Sequence, residues 1–426
     1  MKYLNNLHII IDWGGYSFSN LGDIAMLQVA VERIKSKFSD ANIWIFTTNE
    51  EQLRKYFPGS QPIFTRTREI WRRTRLLPIP YRIIPKKIRK LVQNFESTYK
   101  YNHPKSAVII MQITNFWKNS TDKQYLEFFE KINKSDFTIV SGGGFINDMF
   151  PEHTRNILST LLIANKLQKP AGMFGQGIGP LNNQELIKLG KKTFPELKTI
   201  GIRESITSLQ ILKETGIKKE KIFVTGDDAI ELVIQYPSVS IIQDCVGINI
   251  RLAKYAGNLE IYLDQIGNVI SKIALENKLK IIPIPIHIGD DYRDIRASER
   301  TCLIDFEEIE TAKKIDTVEH LILQINRCRI VITGSYHAAV FALSSGIPVV
   351  GIAESDYYKS KFLGLANQFS IGCEVVDLSE ENPFENLKKS IQKSLDLNVK
   401  DQLIEKAMEQ VNKSKQAWDY FFNLVA

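Results

Sequence analysis

Short β-branched apolar runs alternate along this chain with longer stretches in which apolar positions recur three and four residues apart. The first pattern reads as buried strand and the second as amphipathic helix. In the first half this predicts strands at 8–12, 43–47, 107–111, 137–141, 171–175, 199–203 and 222–225, and helices at 22–38, 155–167, 186–193 and 205–214. A looser stretch follows at 236–244. The second half then predicts strands at 246–249, 280–284, 330–333 and 349–352, helices at 259–277 and 316–325, and a mostly helical region at 383–425. Strands that alternate with helices argue for parallel sheets.

The segment 330–352 carries the most information. Ile330 to Thr333 is a buried strand, Gly334 and Ser335 break it, and Ser335 is placed to cap a helix starting near Tyr336. Gly346 stops that helix and Pro348 prevents its resumption. His337 therefore falls in a first helical turn, outside the carboxyl end of a parallel strand, where open α/β sheets bind ligands. Unpaired backbone N–H groups and the helix dipole favour an anion there. A histidine beside an anion can trade protons with it. A satisfied structural histidine is the competing reading, and His287, after the apolar run 281–286, is the next candidate.

Other expected strand ends carry polar or glycine-rich loops. Gly22 permits close backbone approach, and Asp23 lies in a first helical turn. Gly143 lies in the run Ser141-Gly142-Gly143-Gly144, and Gly175-Gln176-Gly177-Ile178-Gly179-Pro180 is similar. Arg203 and Arg251 end strands and suit forked bonds to phosphate or carboxylate, or else a salt bridge between domains. Lys359 and Lys361 fall in an expected loop after Ile352. Asp227, in Gly226-Asp227-Asp228, can bind sugar hydroxyls or cap a helix. No Walker A, HExxH or GxSxG motif occurs, and no metal site is expected.

Bulk properties narrow the class. A chain of 426 residues suggests two domains, and 44% hydrophobic with 24% charged residues is ordinary for a globular protein. Domains are expected at 1–240 and 241–426: α/β, two Rossmann-like domains facing a GT-B-like cleft, with mostly parallel sheets. Four scattered cysteines suit a reducing compartment. The N-terminus reads as a first strand rather than a signal peptide, and no apolar stretch reaches membrane-spanning length. A cytoplasmic protein is expected. The net charge of +7 is concentrated in residues 66–90, with seven Arg, three Lys and one Glu, a net of +9. Apolar and aromatic residues interleave these charges, which suits peripheral contact with the inner face of a membrane. A solvated helix–loop insertion is the alternative. No nucleic-acid motif accompanies the segment.

Taken in order, the loops resemble the polysaccharide pyruvyl transferase family. The matching pieces are Asn20-Leu21-Gly22-Asp23, Ser141-Gly142-Gly143-Gly144, Gly175 to Pro180, Ile202-Arg203-Glu204-Ser205, Gly226-Asp227-Asp228-Ala229, and His337 through Gly346-Ile347-Pro348. The resemblance implies a GT-B-like fold. It also implies transfer of a pyruvyl group from phosphoenolpyruvate, a co-substrate, to a nucleotide-linked or lipid-linked saccharide, with no cofactor. It implies that His337 is an acid or base, and that Arg203 with Lys361 or Lys359 binds the donor. Many members carry Arg two residues before the histidine, where this chain has Ser335; Arg251 or a lysine is the expected replacement. The rival reading is a GT-B glycosyltransferase using a nucleotide sugar. Many of those carry a ribose-binding Glu at the spacing where Phe341 stands here.

Overall fold

The strands assemble at two topological switch points that face each other. A computed structural model describes residues 6–77, 79, 83–117, 124–236, 243–252, 259–289 and 291–425. The first sheet contains β1 (His8–Asp12), β2 (Asn42–Thr47), β3 (Gln61–Phe64), β4 (Phe137–Val140), β5 (Gly143–Ile146), β6 (Ala171–Ile178), β7 (Thr199–Ile202) and β8 (Ile222–Val224). Their order is β3-β2-β1-β4-β6-β7-β8, with β5 beside β6. The second contains β9 (Cys245–Asn249), β10 (Lys280–Pro283), β11 (Cys328–Thr333), β12 (Val349–Ala353) and β13 (Cys373–Asp377), in the order β10-β9-β11-β12-β13. All these pairings are parallel. The order reverses between β1 and β4 in one sheet and between β9 and β11 in the other. Crevices open at such reversals, outside the carboxyl ends of the strands.

The Tyr336–Ser344 helix follows directly from its sequence. It is apolar on all sides, and every residue of it except His337 is buried. A helix apolar all round belongs inside the protein. Gly346, at φ +79°, ends it: its N–H donates to Leu343 O at 3.0 Å, and Ile347 N–H to Ala342 O at 2.9 Å. That pair of bonds is a Schellman closure. Ser335 takes the N-cap position, but its side chain makes no capping bond, contrary to expectation. The hydroxyl of Thr333 instead accepts from the Ser335 N–H at 2.8 Å.

Backbone hydrogen bonds and side-chain packing join the halves. Leu21 N–H donates to Ile286 O at 2.9 Å, and Ile288 N–H to Ser19 O at 3.0 Å. The Lys400–Val425 helix crosses back onto the first sheet, where Trp418 stacks on Phe174 with ring centres 3.9 Å apart. On the same helix Ser414 donates to Asp228 at 2.5 Å.

Several expected elements differ. Residues 107–111 were expected as a strand and lie in the helix Pro104–Trp117. Ala107, Val108, Met111 and Thr114 are its buried positions, a helical spacing that a short apolar run does not distinguish from a strand. Lys359 and Lys361 sit in the helix Asp356–Phe369, capped by Ser355, and not in a loop. Strands β3, β5 and β13 were not expected. Residues 78 and 80–82 of the basic segment, and 237–242 of the looser stretch, lie outside the described residues. The four cysteines are unpaired.

Trp418→Ala should cost about 3–5 kcal/mol, the usual range for emptying a buried aromatic site. A urea unfolding midpoint would register it.

Candidate active site

Loops from both switch points line one solvent-open cavity of about 730 Å³. The β1 end supplies Gly14, Asn20 and Asp23; the β5 region supplies Gly144, Phe145 and, further on, His153. Arg203 comes from the β7 end, Arg251 from β9, and Ser335 with His337 from β11. Tyr357, Tyr358 and Lys361 come from the helix after β12. A second chamber of about 710 Å³ shares Gly144, Arg203, Tyr336, Tyr357 and Lys361 as its wall.

Two helix N-termini meet at His337. Asn20 caps the Leu21–Lys37 helix, its side chain accepting from the N–H groups of Gly22 (2.9 Å) and Asp23 (3.1 Å). A Cβ on Gly22 would lie 2.1 Å from His337 Cγ, so the imidazole sits against bare backbone. The His337 side chain is 11% exposed, and its Nε2 stands 3.8 Å from Asp227 Oδ2. Burial drives its pKa well below the usual 6.5, and Arg203, Lys361 and Arg251 drive it lower. The ring is therefore neutral at physiological pH despite the nearby carboxylate.

Arg203 organises the cations. It is 3% exposed, and its Nε donates to Gly175 O at 2.8 Å and stands 2.9 Å from Asp227 Oδ2. The guanidinium lies over the Tyr336 ring at 4.9 Å. Asp227 is buried behind Arg203 and His337 and does not line the cavity. Its other oxygen accepts from Ala229 N–H at 2.9 Å, so it binds both the cation and the following turn. Lys361 projects over the Tyr357 ring at 4.1 Å, with Tyr336 and Tyr358 also within 6 Å. A Cβ on Gly144 would reach within 2.9 Å of the Lys361 ammonium, which explains a glycine there. Arg251 is held by Asp294 at 3.5 Å. Asp23 is raised to about 6, by burial first; the positive charges of Arg203 and Arg251 oppose the shift.

Other expected residues stand elsewhere. Lys359 pairs with Asp377 at 2.6 Å and Glu380 at 3.6 Å and lies outside the cavity. Gly143 packs behind it, where a Cβ would lie 2.0 Å from the Phe145 ring. Gly144 is the glycine that faces the cleft. His287, whose Nε2 is 3.2 Å from Asp291, belongs to the seam between the halves through its bridge to Asn20.

His153 was not anticipated. It packs against Tyr16 (5.0 Å) and Phe145 (4.6 Å), and its Nε2 is buried without a hydrogen-bond partner. Burial, then the charge of Arg68, lowers its pKa to about 3. Arg68 is itself locked to Asp12 at 2.6 Å and to the Tyr16 hydroxyl at 2.7 Å. Only its place at a helix start hinted at this in the sequence.

The model of the polysaccharide pyruvyl transferase family matches residues 20–356. The chain belongs to that family. The matched span holds the Asn20 turn, Arg203, Asp227 and the His337 helix, and it stops short of Lys361. No curated protein sequence matches the chain. Solved structures share its fold at low identity. UDP-GlcNAc 2-epimerase from Neisseria meningitidis, bound to UDP-GlcNAc, gives a TM-score of 0.55 at 12% identity, over 98% of this chain and 100% of that one. The UDP-GlcNAc 2-epimerase from Methanocaldococcus jannaschii gives 0.52 at 15%, over 92% and 94%. Medicago truncatula UGT71G1, complexed with UDP-glucose, gives 0.50 at 9%, over 99% and 98%. This pyruvyl transferase family member is thus a transferase with a GT-B-like fold.

Gly22→Ala should displace the imidazole while leaving the fold intact. A shift of about 1 Å in a reacting group costs on the order of 10²-fold in rate. Turnover beside a far-UV spectrum would test this; full activity in the variant would show that Gly22 does not fix His337.

Proposed function

We propose that this protein transfers the pyruvyl group of phosphoenolpyruvate to a sugar of a cell-surface glycan precursor, forming a pyruvate ketal and releasing phosphate. The observation that carries the reading is the convergence of Arg203, Lys361 and Arg251 on a cavity that also holds a neutral histidine. Phosphoenolpyruvate bears a carboxylate and a phosphate, and its site needs converging cations and helix N-termini. Arg203 and Lys361 bind those anions, with Arg251 and the Ser335 turn beside them. The adjoining chamber along Gly177 to Pro180 takes the saccharide, nucleotide-linked or lipid-linked.

In this scheme one sugar hydroxyl adds to C2 as C3 takes up a proton, giving a tetrahedral phosphate adduct. A second hydroxyl then forms the other C2–O bond as the phosphate C–O bond breaks. His337 accepts each hydroxyl proton in turn: the first replaces the proton that Asp23 gives to C3, and the second leaves with the phosphate. Bound donor neutralises the cations that depress the imidazole, so His337 becomes a stronger base in the complex than in the free protein. Asp23 delivers the proton to C3. Its carboxyl is already raised to about 6, and a bound anion raises it further. General acid–base help and charge placement carry the reaction as written, and no cofactor enters it.

A nucleotide-sugar glycosyltransferase is the competing reading, since several fold neighbours are complexed with UDP-sugars. Phe341 counts against it, because the position expected to hold ribose is fully buried in the core.

His337→Ala should lower acceptor-dependent phosphate release from phosphoenolpyruvate by roughly 10²–10⁴-fold. Absence of release with any saccharide acceptor, together with saturable nucleotide-sugar binding, would overturn the pyruvyl reading.

The Asp23 assignment makes a signed prediction. The carboxyl binds a proton when the donor binds, so donor affinity should strengthen as pH falls from about 8 towards 6. The phosphate of the donor and His337 also respond to pH, so the contrast with Asp23→Asn isolates the carboxyl's share. Dissociation constants by calorimetry should show a shallower slope in the variant. An identical slope would remove Asp23 from proton delivery.

A further inference from the structure

The basic segment divides into two halves that do different work. The first half is built into the protein. Arg68 is 4% exposed and paired with Asp12, Arg72 pairs with Glu152, and Arg75 approaches Glu96 at 3.5 Å. Glu152 adjoins His153, so this half braces one wall of the cleft.

The second half begins the helix Lys86–Asn102. The inner face of that helix is pinned. Glu96 accepts from Leu77 N–H at 2.9 Å, and the buried Lys100 ammonium donates to the carbonyls of Arg72 (2.5 Å) and Thr74 (2.9 Å). Pinning the inner face fixes what points outward. Ile88, Leu91 and Phe95, at spacings of three and four, form an apolar row that is 46%, 66% and 62% exposed. Ile83, just before the helix, is 67% exposed. Lys86, Lys87 and Lys90 are exposed on the same turns.

Single exposed apolar residues need no explanation, but a helical row of three does. Water disfavours the row, and the lysines disfavour a purely apolar partner. An anionic bilayer answers both, taking the side chains into its acyl boundary and the ammonium groups among its headgroups. We infer that the outer face of the Lys86–Asn102 helix docks this protein on an anionic membrane surface. The inference goes beyond the proposed reaction and does not depend on it. Among the described residues no helix is long and apolar enough to cross a membrane, so the contact is peripheral.

The test is co-sedimentation of the full chain with vesicles of phosphatidylcholine alone or mixed with phosphatidylglycerol. The chain should pellet with the mixed vesicles, be released by high salt, and ignore the neutral ones. Leu91→Ser/Phe95→Ser and Lys87→Glu/Lys90→Glu should each weaken binding by about tenfold or more. Phosphate release with a soluble acceptor should be unchanged in both, which separates failure of docking from failure of the chemistry. Absence of binding to mixed vesicles would overturn the inference, as would variants that bind like the parent. A dimer in sedimentation that Leu91→Ser/Phe95→Ser dissociates would assign the face to a second copy of the chain instead.

Discussion

A guanidinium buried between two domains is the constraint on which this site depends. Taking Arg203 out of water is costly unless its charge and its donors are met within the protein. Asp227, the Gly175 carbonyl and the Tyr336 ring meet them; they come from beyond β8, from within β6 and from beyond β11, in two sheets. The first-sheet strands therefore cannot shift against the His337 helix without exposing or orphaning that charge. The same arrangement sets the electrostatics. Asp227 spends its charge on Arg203, so His337 feels a net positive surround and stays neutral although a carboxylate oxygen is 3.8 Å away.

The close approach of the two helix N-termini is the steric counterpart of that constraint. Each terminus brings a positive dipole end to the cleft; the N–H groups of the first are taken up by Asn20 and Ile286 O, whereas the Ser335 side chain caps none of the second. Such ends repel one another, so bringing them together is favourable only with an anion between them or an acid built in. Asp23 is the built-in acid of the first helix, half-buried at the cavity wall, and burial raises its carboxyl to about 6. The opposing helix has no acidic residue in its first turn.

Much of this was legible in the sequence because the relevant signals are local. The β-branched run before Gly334, the glycine at 346 and Pro348 define one strand–helix–strand unit on their own, and His337 follows from counting. Glycine-rich breaks at 14–15 and 141–144 marked strand ends for the same reason. Long-range contacts decided what was not legible. Nothing near Lys359 or Lys361 tells which faces the cleft; that depends on Asp377 holding one and on Tyr357 and Gly144 making room for the other. His153 needed Tyr16, Phe145 and Arg68 around it before it could be seen as a site residue. The run 107–111 was misread because its helical period shows only once Thr114 is known to be buried with it.

Ser335 stands where the resemblance leads one to expect an arginine, and the geometry supplies a cation nearby. The Gly334 N–H donates to Asn249 O at 2.9 Å, and a Cβ on Gly334 would lie 3.3 Å from the Arg251 backbone nitrogen. The end of β9 thus runs alongside the turn where the missing arginine would start, and Arg251 rises from it into the same cavity. Asp294 sets its direction while its Oδ2 accepts from the Asn249 side chain and from Ile286 and His287 N–H. The cation nearest this turn is thus carried on the adjacent strand. The turn itself carries only a small hydroxyl residue, Ser335, beside His337 at the cavity wall.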